Sequence, residues 1–177
     1  MSTTEAKINP QHPTTYWCYV DGGCLGNGGH NAEAYGSYLV VNADEVDAPY
    51  APTEDGHNNA NLLPEVARNE RFLITNTRPG QRVTNNIAEA KSMASLITEL
   101  YRLRLVRPSN LILVHSDSEL IINQMTGAYR VKNQALKEIY RDIRQFISRA
   151  PGGVELFKEV VHLCKISGDQ MKVVLGH

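Results

Sequence analysis

A short apolar run that ends at a single aspartate constrains the fold of this chain more than any other feature. Residues 111–114 are all aliphatic, and small polar residues around Asp117 follow them. The run is too short and too uniformly apolar for a surface helix, so it predicts a strand covered on both faces. Apolar residues then recur at helical spacing from Leu120 to Met125. Asp117 is therefore predicted to lie at a strand-to-helix turn, where it or Ser118 would also cap the helix.

A strand near the amino terminus is predicted to carry a second aspartate. The aromatic and β-branched run 15–20 leads to Asp21-Gly22-Gly23, and further glycines follow up to Gly29. We expect this strand to deliver Asp21 into a flexible turn and a second strand over 35–41 to complete a hairpin. The glycine spacing matches neither a P-loop nor the dinucleotide-binding pattern, so a nucleotide-binding loop is not favoured.

Residues 42–68 are polar and rich in proline, which predicts an insertion or flap rather than a tight hairpin connection. Within it His57 has acidic and amide neighbours, but a solvated loop histidine is the simpler interpretation than a metal ligand. Residues 1–14 also lack any period and are expected to form a flexible tail. The sequence therefore predicts one domain over 15–177 that carries this insertion.

The remaining pattern predicts a mixed α/β protein. Three strands, the third over 71–77, precede a helix from Ile87 to Arg104 that Thr84, Asn85 or Asn86 can cap. The element order β-β-β-α-β-α-α-β-α predicts a five-stranded mixed sheet, a three-stranded antiparallel meander joined by parallel strands, with helices packed on it. The later elements are the strand at 111–114, a helix to Met125, a basic helix over 133–149, a strand over 160–166 and a helix over 169–175.

Composition limits the partners and the compartment. A formal net charge of -1 and a pI near 6.6 argue against binding nucleic acid by overall charge, so such contacts must be local. The best local basic patch surrounds Lys132. Three cysteines without a C-x-x-C pair indicate neither a disulfide framework nor a structural zinc site. With no signal-like or membrane-spanning segment in the sequence, we expect a soluble cytoplasmic protein without membrane contact, and no obligate protein partner is indicated.

Three carboxylates are predicted to share one end of the sheet. The first strand of a meander lies centrally when a later parallel strand joins it, which places Asp21 beside Asp117. Glu89 is expected in the first turn of the helix between them, where compensation of the helix dipole is its simpler role. Because clustered carboxylates repel, a shared site implies hard divalent cations, with magnesium the natural choice. Two such ions support phosphodiester hydrolysis, which is nuclease chemistry.

These residues resemble the motifs of type 1 ribonuclease H. The resemblance covers roughly residues 15–177 and depends on three motifs in the family's order. Thr-Asn-Asn-x-x-Glu is the specific one, while Asp-Gly-Gly and Ser-Asp-Ser would be weak alone. The motifs are Tyr19-Val-Asp-Gly-Gly followed by Gly26-Asn27-Gly28, Thr84-Asn85-Asn86-Ile-Ala-Glu89, and His115-Ser-Asp117-Ser.

The resemblance implies an RNase H-like fold, two Mg²⁺ ions with Mn²⁺ as a substitute, and endonucleolytic cleavage of the RNA strand in RNA–DNA hybrids. It makes Asp21, Glu89 and Asp117 metal ligands. The same resemblance places Asn27, Asn85 and Asn86 in the minor groove of the hybrid, where amides suit 2′-hydroxyls that both donate and accept hydrogen bonds. Gly22 and Lys132 complete the expected substrate contacts.

Two positions depart from the family pattern. Residues 127–132 replace the lysine- and tryptophan-rich protrusion with which some members grip the hybrid, so binding is expected to be modest and sensitive to salt. The fourth acidic ligand is also displaced. An alignment without gaps puts His177 there, whereas the alternative alignment puts Asp169 there. We favour His177 as the fourth catalytic and metal-binding position, because Asp169 suits the N-cap of the last helix.

Two other functional classes remain open from the sequence. One is a 3′-5′ exonuclease, or another nuclease for structured nucleic acid, on the same fold, since fold alone does not fix substrate. The other is a catalytically silent binding module, against which the three intact carboxylates argue.

Overall fold

Five strands form one mixed sheet in the computed structural model, which describes residues 14–45, 63–75 and 80–176. The order β3-β2-β1-β4-β5 places β1 at the centre. β1, β2 and β3 pair antiparallel, and β4 and β5 join in parallel, so the predicted architecture is confirmed. The strands span Thr14–Leu25 (β1), Glu33–Asn42 (β2), Glu65–Ile74 (β3), Asn110–Ser116 (β4) and Val161–Lys165 (β5).

Helices cover both faces of the sheet. They span Asn85–Arg102 (α1), Glu119–Met125 (α2), Gln134–Arg149 (α3), Gly153–Val160 (α4) and Gly168–Leu175 (α5). None of these described helices is long and apolar enough to cross a membrane.

Alternation along β1 divides its side chains between two hydrophobic cores. Cys18 and Val20 belong to the larger core, which includes the buried residues of α1 and α3. Tyr19 belongs to a smaller core with Met171 of α5, on the opposite face. Because successive side chains of a strand point to opposite faces, Asp21 shares the face of Tyr19. Both cores therefore converge on the central strand that carries Asp21.

The first hairpin differs from the prediction. Asp21 does not enter a flexible turn, because β1 continues through Gly22 and Gly23 and stays paired with β2 as far as Leu25. β3 begins at Glu65 instead of Arg71, so its first residues fall inside the predicted insertion. The exposed, charged start of this edge strand explains why the sequence pattern did not reveal it.

The structure also contains a helix that was not predicted. α4 begins directly after Gly152, which has a left-handed backbone (φ 80°), and its last residue Val160 adjoins the first residue of β5. α4 was not predicted for two reasons. The glycines at its start were interpreted only as a chain break, and no polar segment separates α4 from β5. Several predictions lie outside the described residues, namely most of the tail, positions 46–62 including His57, and His177.

Candidate active site

Asp21 and Asp117 lie at equivalent positions relative to the pairing of the neighbouring parallel strands β1 and β4. The β1–β4 pairing runs through Tyr19 and His115, and each aspartate follows two residues later. β4 ends at Ser116, so Asp117 lies immediately beyond the strand, while Asp21 remains paired to Ser37 in β2. This register agrees with the prediction that the two aspartates are neighbours, but Asp21 lies within β1 and not at its end.

Glu89 approaches this point because α1 packs directly on β1. A Cβ atom at Gly22 would lie 2.5 Å from both the carbonyl carbon of Ala88 and the amide nitrogen of Glu89. Only glycine allows this approach, so Gly22 sets the separation between the helix and the strand next to Asp21. Glu89 lies in the second turn of α1, since Thr84 is the N-cap and the first turn has no acidic residue. The expectation that Glu89 compensates the dipole from the first turn is thus wrong.

Ser118 connects Glu89 to the Asp117 turn. Its hydroxyl donates a hydrogen bond of 2.6 Å to Oε2 of Glu89. The Oγ atom of Ser118 also accepts a hydrogen bond from the amide of Ile121, which makes Ser118 the N-cap of α2. From the sequence, Ser118 was expected only as a possible cap. Its position directly after a candidate ligand was the available signal that it also orients Glu89.

Burial and neighbouring negative charges raise the pKa of Glu89. Burial raises its pKa from 4.5 to about 7; the hydrogen bond from Ser118 lowers it, and the negative charges of Asp117 and Asp21 raise it. Glu89 is therefore repelled by both aspartates, and a bound cation would relieve this repulsion.

The donor set fits a hard divalent cation, because it consists of carboxylate oxygens from three different elements. Asp21, Glu89 and Asp117 would hold such an ion. Within the described ranges, however, no three His, Cys, Asp or Glu side chains already form a closed metal-binding group. Glu89 is turned toward Ser118, so convergence of the three carboxylates on one ion stays a prediction.

The start of α5 adjoins Asp117. A Cβ at Gly168 would lie 3.3 Å from Oδ2 of Asp117. Asp169 follows directly, yet its side chain is 98% exposed and pairs with Lys172 at 3.9 Å. Asp169 is not the N-cap either, because Ser167 caps α5 in a capping box with Gln170. The structure thus places Asp169 next to the site in the chain but directs its carboxylate into solvent.

Asparagine side chains tie the β1–β2 loop to the start of α1. Oδ1 of Asn27 accepts a hydrogen bond of 3.1 Å from the amide of Asn85, and Oδ1 of Asn85 accepts one of 2.8 Å from the amide of Cys24. The amide of Gly28 also donates to the carbonyl of Val83 at 2.9 Å. With both oxygens engaged, the exposed NH₂ groups of Asn27 and Asn85 remain to donate outward.

The other expected substrate residues occupy different surroundings. Asn86 is exposed in the first turn of α1, next to Asn85. Lys132 is exposed in the segment between α2 and α3, one residue before the N-cap Asn133. Gly22 is buried beneath α1, so its clear structural role is to permit helix packing.

The sheet order and the helices on its two faces define an RNase H-like fold, and comparison with solved structures agrees. RNase H1 from Halobacterium salinarum shares 18% identity with a TM-score of 0.58, and 89% of each chain is covered. The N-terminal RNase H domain of rv2228c from Mycobacterium tuberculosis shares 20% identity with a TM-score of 0.59, over 90% of this chain and 92% of that one. LC11-RNase H1 in complex with an RNA/DNA hybrid shares 20% identity with a TM-score of 0.58, over 88% and 87%.

No protein-family model and no curated protein matches the chain in sequence. At these low identities the structural similarity establishes the fold.

Proposed function

We propose that this protein is a ribonuclease H, a hydrolase that cleaves the RNA strand of RNA–DNA hybrids endonucleolytically. The observation that carries the proposal is the common register of Asp21 and Asp117 on adjacent parallel strands, with Glu89 brought beside them over Gly22. The fold is shared with RNase H1 structures, one of which was solved with an RNA/DNA hybrid. This similarity supports the same substrate class here.

The carboxylates provide the metal-binding part of the proposed mechanism. Asp21, Glu89 and Asp117 would hold two Mg²⁺ ions, or Mn²⁺ in their place, and His177 or Asp169 would complete the set. Two such ions, when bound, supply an activated water and stabilise the leaving oxygen of a phosphodiester. Ser118 orients Glu89 through its hydrogen bond, so that the carboxylate keeps a fixed direction beside Asp117.

The amide residues provide the basis for choosing a hybrid. Asn27 in the β1–β2 loop and Asn85 at the start of α1 present NH₂ donors, and their own oxygens tie these two segments together. A donor fixed in this way suits the 2′-hydroxyl of the RNA strand, which deoxyribose lacks. Asn86 extends the same surface, and Lys132 would add a phosphate contact from the segment before α3.

A substrate panel tests this function. Labelled RNA–DNA hybrid, duplex RNA and duplex DNA of one sequence are incubated with Mg²⁺, with Mn²⁺ and with EDTA, and the products are sized. We expect internal cuts in the RNA strand of the hybrid only, and only with metal. Asp117→Asn should abolish turnover while preserving the circular dichroism spectrum, because it removes charge and keeps shape.

The two alternative functions would give different products. Stepwise shortening from a 3′ end would identify an exonuclease. Binding of the hybrid without any cleavage in either metal would identify a silent binding module, and either result would overturn the proposal.

A further inference from the structure

Arg71 has an unusual backbone conformation in β3. Its φ is +46°, a left-handed value that L-residues other than Asn and Asp rarely adopt. It lies where the register between β2 and β3 shifts, and its amide donates a hydrogen bond of 2.9 Å to the hydroxyl of the fully buried Ser37. Strain that the surrounding structure fixes in this way is often associated with function.

The strained backbone places the Arg71 guanidinium on an aromatic platform. The guanidinium carbon lies 4.7 Å from the centroid of the Tyr35 ring. Gly23 adjoins the same ring, because a Cβ there would come within 2.4 Å of the phenol carbon and oxygen of Tyr35. Gly23, Tyr35 and Arg71 therefore form a stack, defined here as the Arg71 stack. A guanidinium over an aromatic face is pre-oriented and keeps its N–H donors at its edges.

The Arg71 stack lies on the same face of the sheet as Asp21. Asp21 and Gly23 are two residues apart in a continuously paired strand, so they share a face at a spacing of about 6.6 Å. Farther along β1 that face is covered by α5 at Tyr19. At the Gly23 end it is open, since Leu25 is 58% exposed and Leu73, the partner of Tyr35, is 69% exposed.

The charge of Arg71 is available for a ligand. Among the described residues Arg71 forms no ion pair, and its neighbour Glu70 pairs with Arg68 at 2.7 Å instead. In a chain with a formal net charge of -1, a fixed cation on the same sheet face as Asp21 is notable, because carboxylates alone would repel a nucleic-acid strand. Arginine edges match the geometry of phosphate oxygens.

We propose that the Arg71 stack is a phosphate-binding subsite that holds the nucleic-acid backbone next to the linkage positioned at Asp21. This inference rests on the proposed function and adds the residue that anchors the strand across the open face of β1, β2 and β3. The contact is to phosphate, so it contributes affinity and position without reading sequence.

Salt-dependent binding tests the subsite without requiring turnover. Full-length Asp117→Asn protein, which is expected not to cleave, is titrated with a fluorescently labelled RNA–DNA hybrid over a range of salt concentrations, alone and with Arg71→Gln added. Loss of one phosphate contact should lower affinity by roughly three- to tenfold and reduce the slope of log K against log salt by about 0.9. Arg71→Lys, which keeps the charge, should retain the slope.

Arg104→Gln is the matched control. Arg104 is also an exposed arginine with a left-handed backbone (φ 56°), but it follows the C-terminal end of α1. α1 has 18 residues, which places Arg104 about 27 Å from the end of the helix that adjoins the acidic site. Its replacement should leave both the affinity and the salt slope unchanged. Glutamine keeps the Cβ atom, so neither variant changes the backbone strain at its position.

The outcomes separate this inference from the proposed function. If the parent protein binds the hybrid and Arg71→Gln behaves as Arg104→Gln does, the subsite is wrong while the proposed function stands. If the wild-type protein neither binds nor cleaves the hybrid, both are wrong. Thermal melting of each variant confirms that the compared proteins are folded, and Tyr35→Leu, which removes the platform, should weaken binding in the same direction as Arg71→Gln.

Discussion

Replacement of Glu89 by glutamine should stabilise the metal-free protein at alkaline pH. Burial raises the pKa of Glu89 from 4.5 to about 7, and Asp117 and Asp21 add to this effect although Ser118 opposes it. Below about pH 4.5 the side chain is protonated in both the folded and the unfolded state, so it contributes nothing. Between the two pKa values only the unfolded state ionises, and above pH 7 folding carries the full cost of a buried charge.

The expected gain follows from the size of the shift. One pKa unit corresponds to ~1.36 kcal/mol, and after a reduction for partial solvent exposure we expect about 1–3 kcal/mol at pH 8. For a protein of this size each kcal/mol raises Tm by about 2–4 °C. Glutamine retains an oxygen that can accept the hydrogen bond from Ser118, so the variant changes charge with little change in contacts.

Thermal melts of wild-type and Glu89→Gln protein in EDTA, from about pH 4 to pH 8.5, measure this difference. Glu99→Gln is the control on the same helix, because the hydrogen bond and charge of Arg102 lower the pKa of Glu99. A lowered pKa stabilises the fold above the unfolded-state value, so Glu99→Gln should destabilise the protein at pH 8. If Glu89→Gln is no more stable than wild type at pH 8, or if its gain does not vanish near pH 4.5, the raised pKa of Glu89 is wrong.

Further predictions concern the neighbours of Glu89 and the fourth ligand position. Gly22→Ala should lower the free energy of unfolding by about 1–3 kcal/mol or more in chemical denaturation, because its methyl group has no space beneath α1. Ser118→Ala should lower Mg²⁺ affinity or cleavage by about 10–100-fold, and Ser118→Thr, which keeps the hydroxyl beside Glu89, should recover most of it. His177→Ala should lower cleavage and remove an acid limb below about pH 6.5, with the larger effect in Mn²⁺; identical pH profiles in both metals would make Asp169→Ala the next variant to assay.

The backbone placement of Asp21 and Asp117 was predictable because it follows from strand order. A central first strand joined by a later parallel strand brings equivalent strand positions together, whatever the details of packing. Glu89 was predictable only through its motif, since its helical position alone indicated a dipole role that the structure contradicts. Its actual position depends on Gly22, a contact between two elements that the local sequence does not encode.

Other features were not predictable because tertiary contacts override local signals. Gly22 and Gly23 indicated a turn, yet pairing with β2 carries β1 on to Leu25. α4 escaped prediction because Val160 and Val161 form a β-branched boundary with no polar break between helix and strand. The strain at Arg71 follows from a register shift between β2 and β3, which no sequence period reveals.

The central claim is that Asp21, Glu89 and Asp117 act together as one divalent-metal site. A crystal structure of the full-length protein grown with Mn²⁺ and a non-cleavable hybrid, with anomalous differences recorded at the manganese edge, tests it most directly. We predict anomalous peaks bounded by the three carboxylates, with Mn²⁺ within ~2.0–2.6 Å of their oxygens. Two results would contradict the claim. One is a well-occupied hybrid without such a peak. The other is any of the three carboxyl groups lying more than about 8 Å from the other two, because no shared ion could bridge that gap.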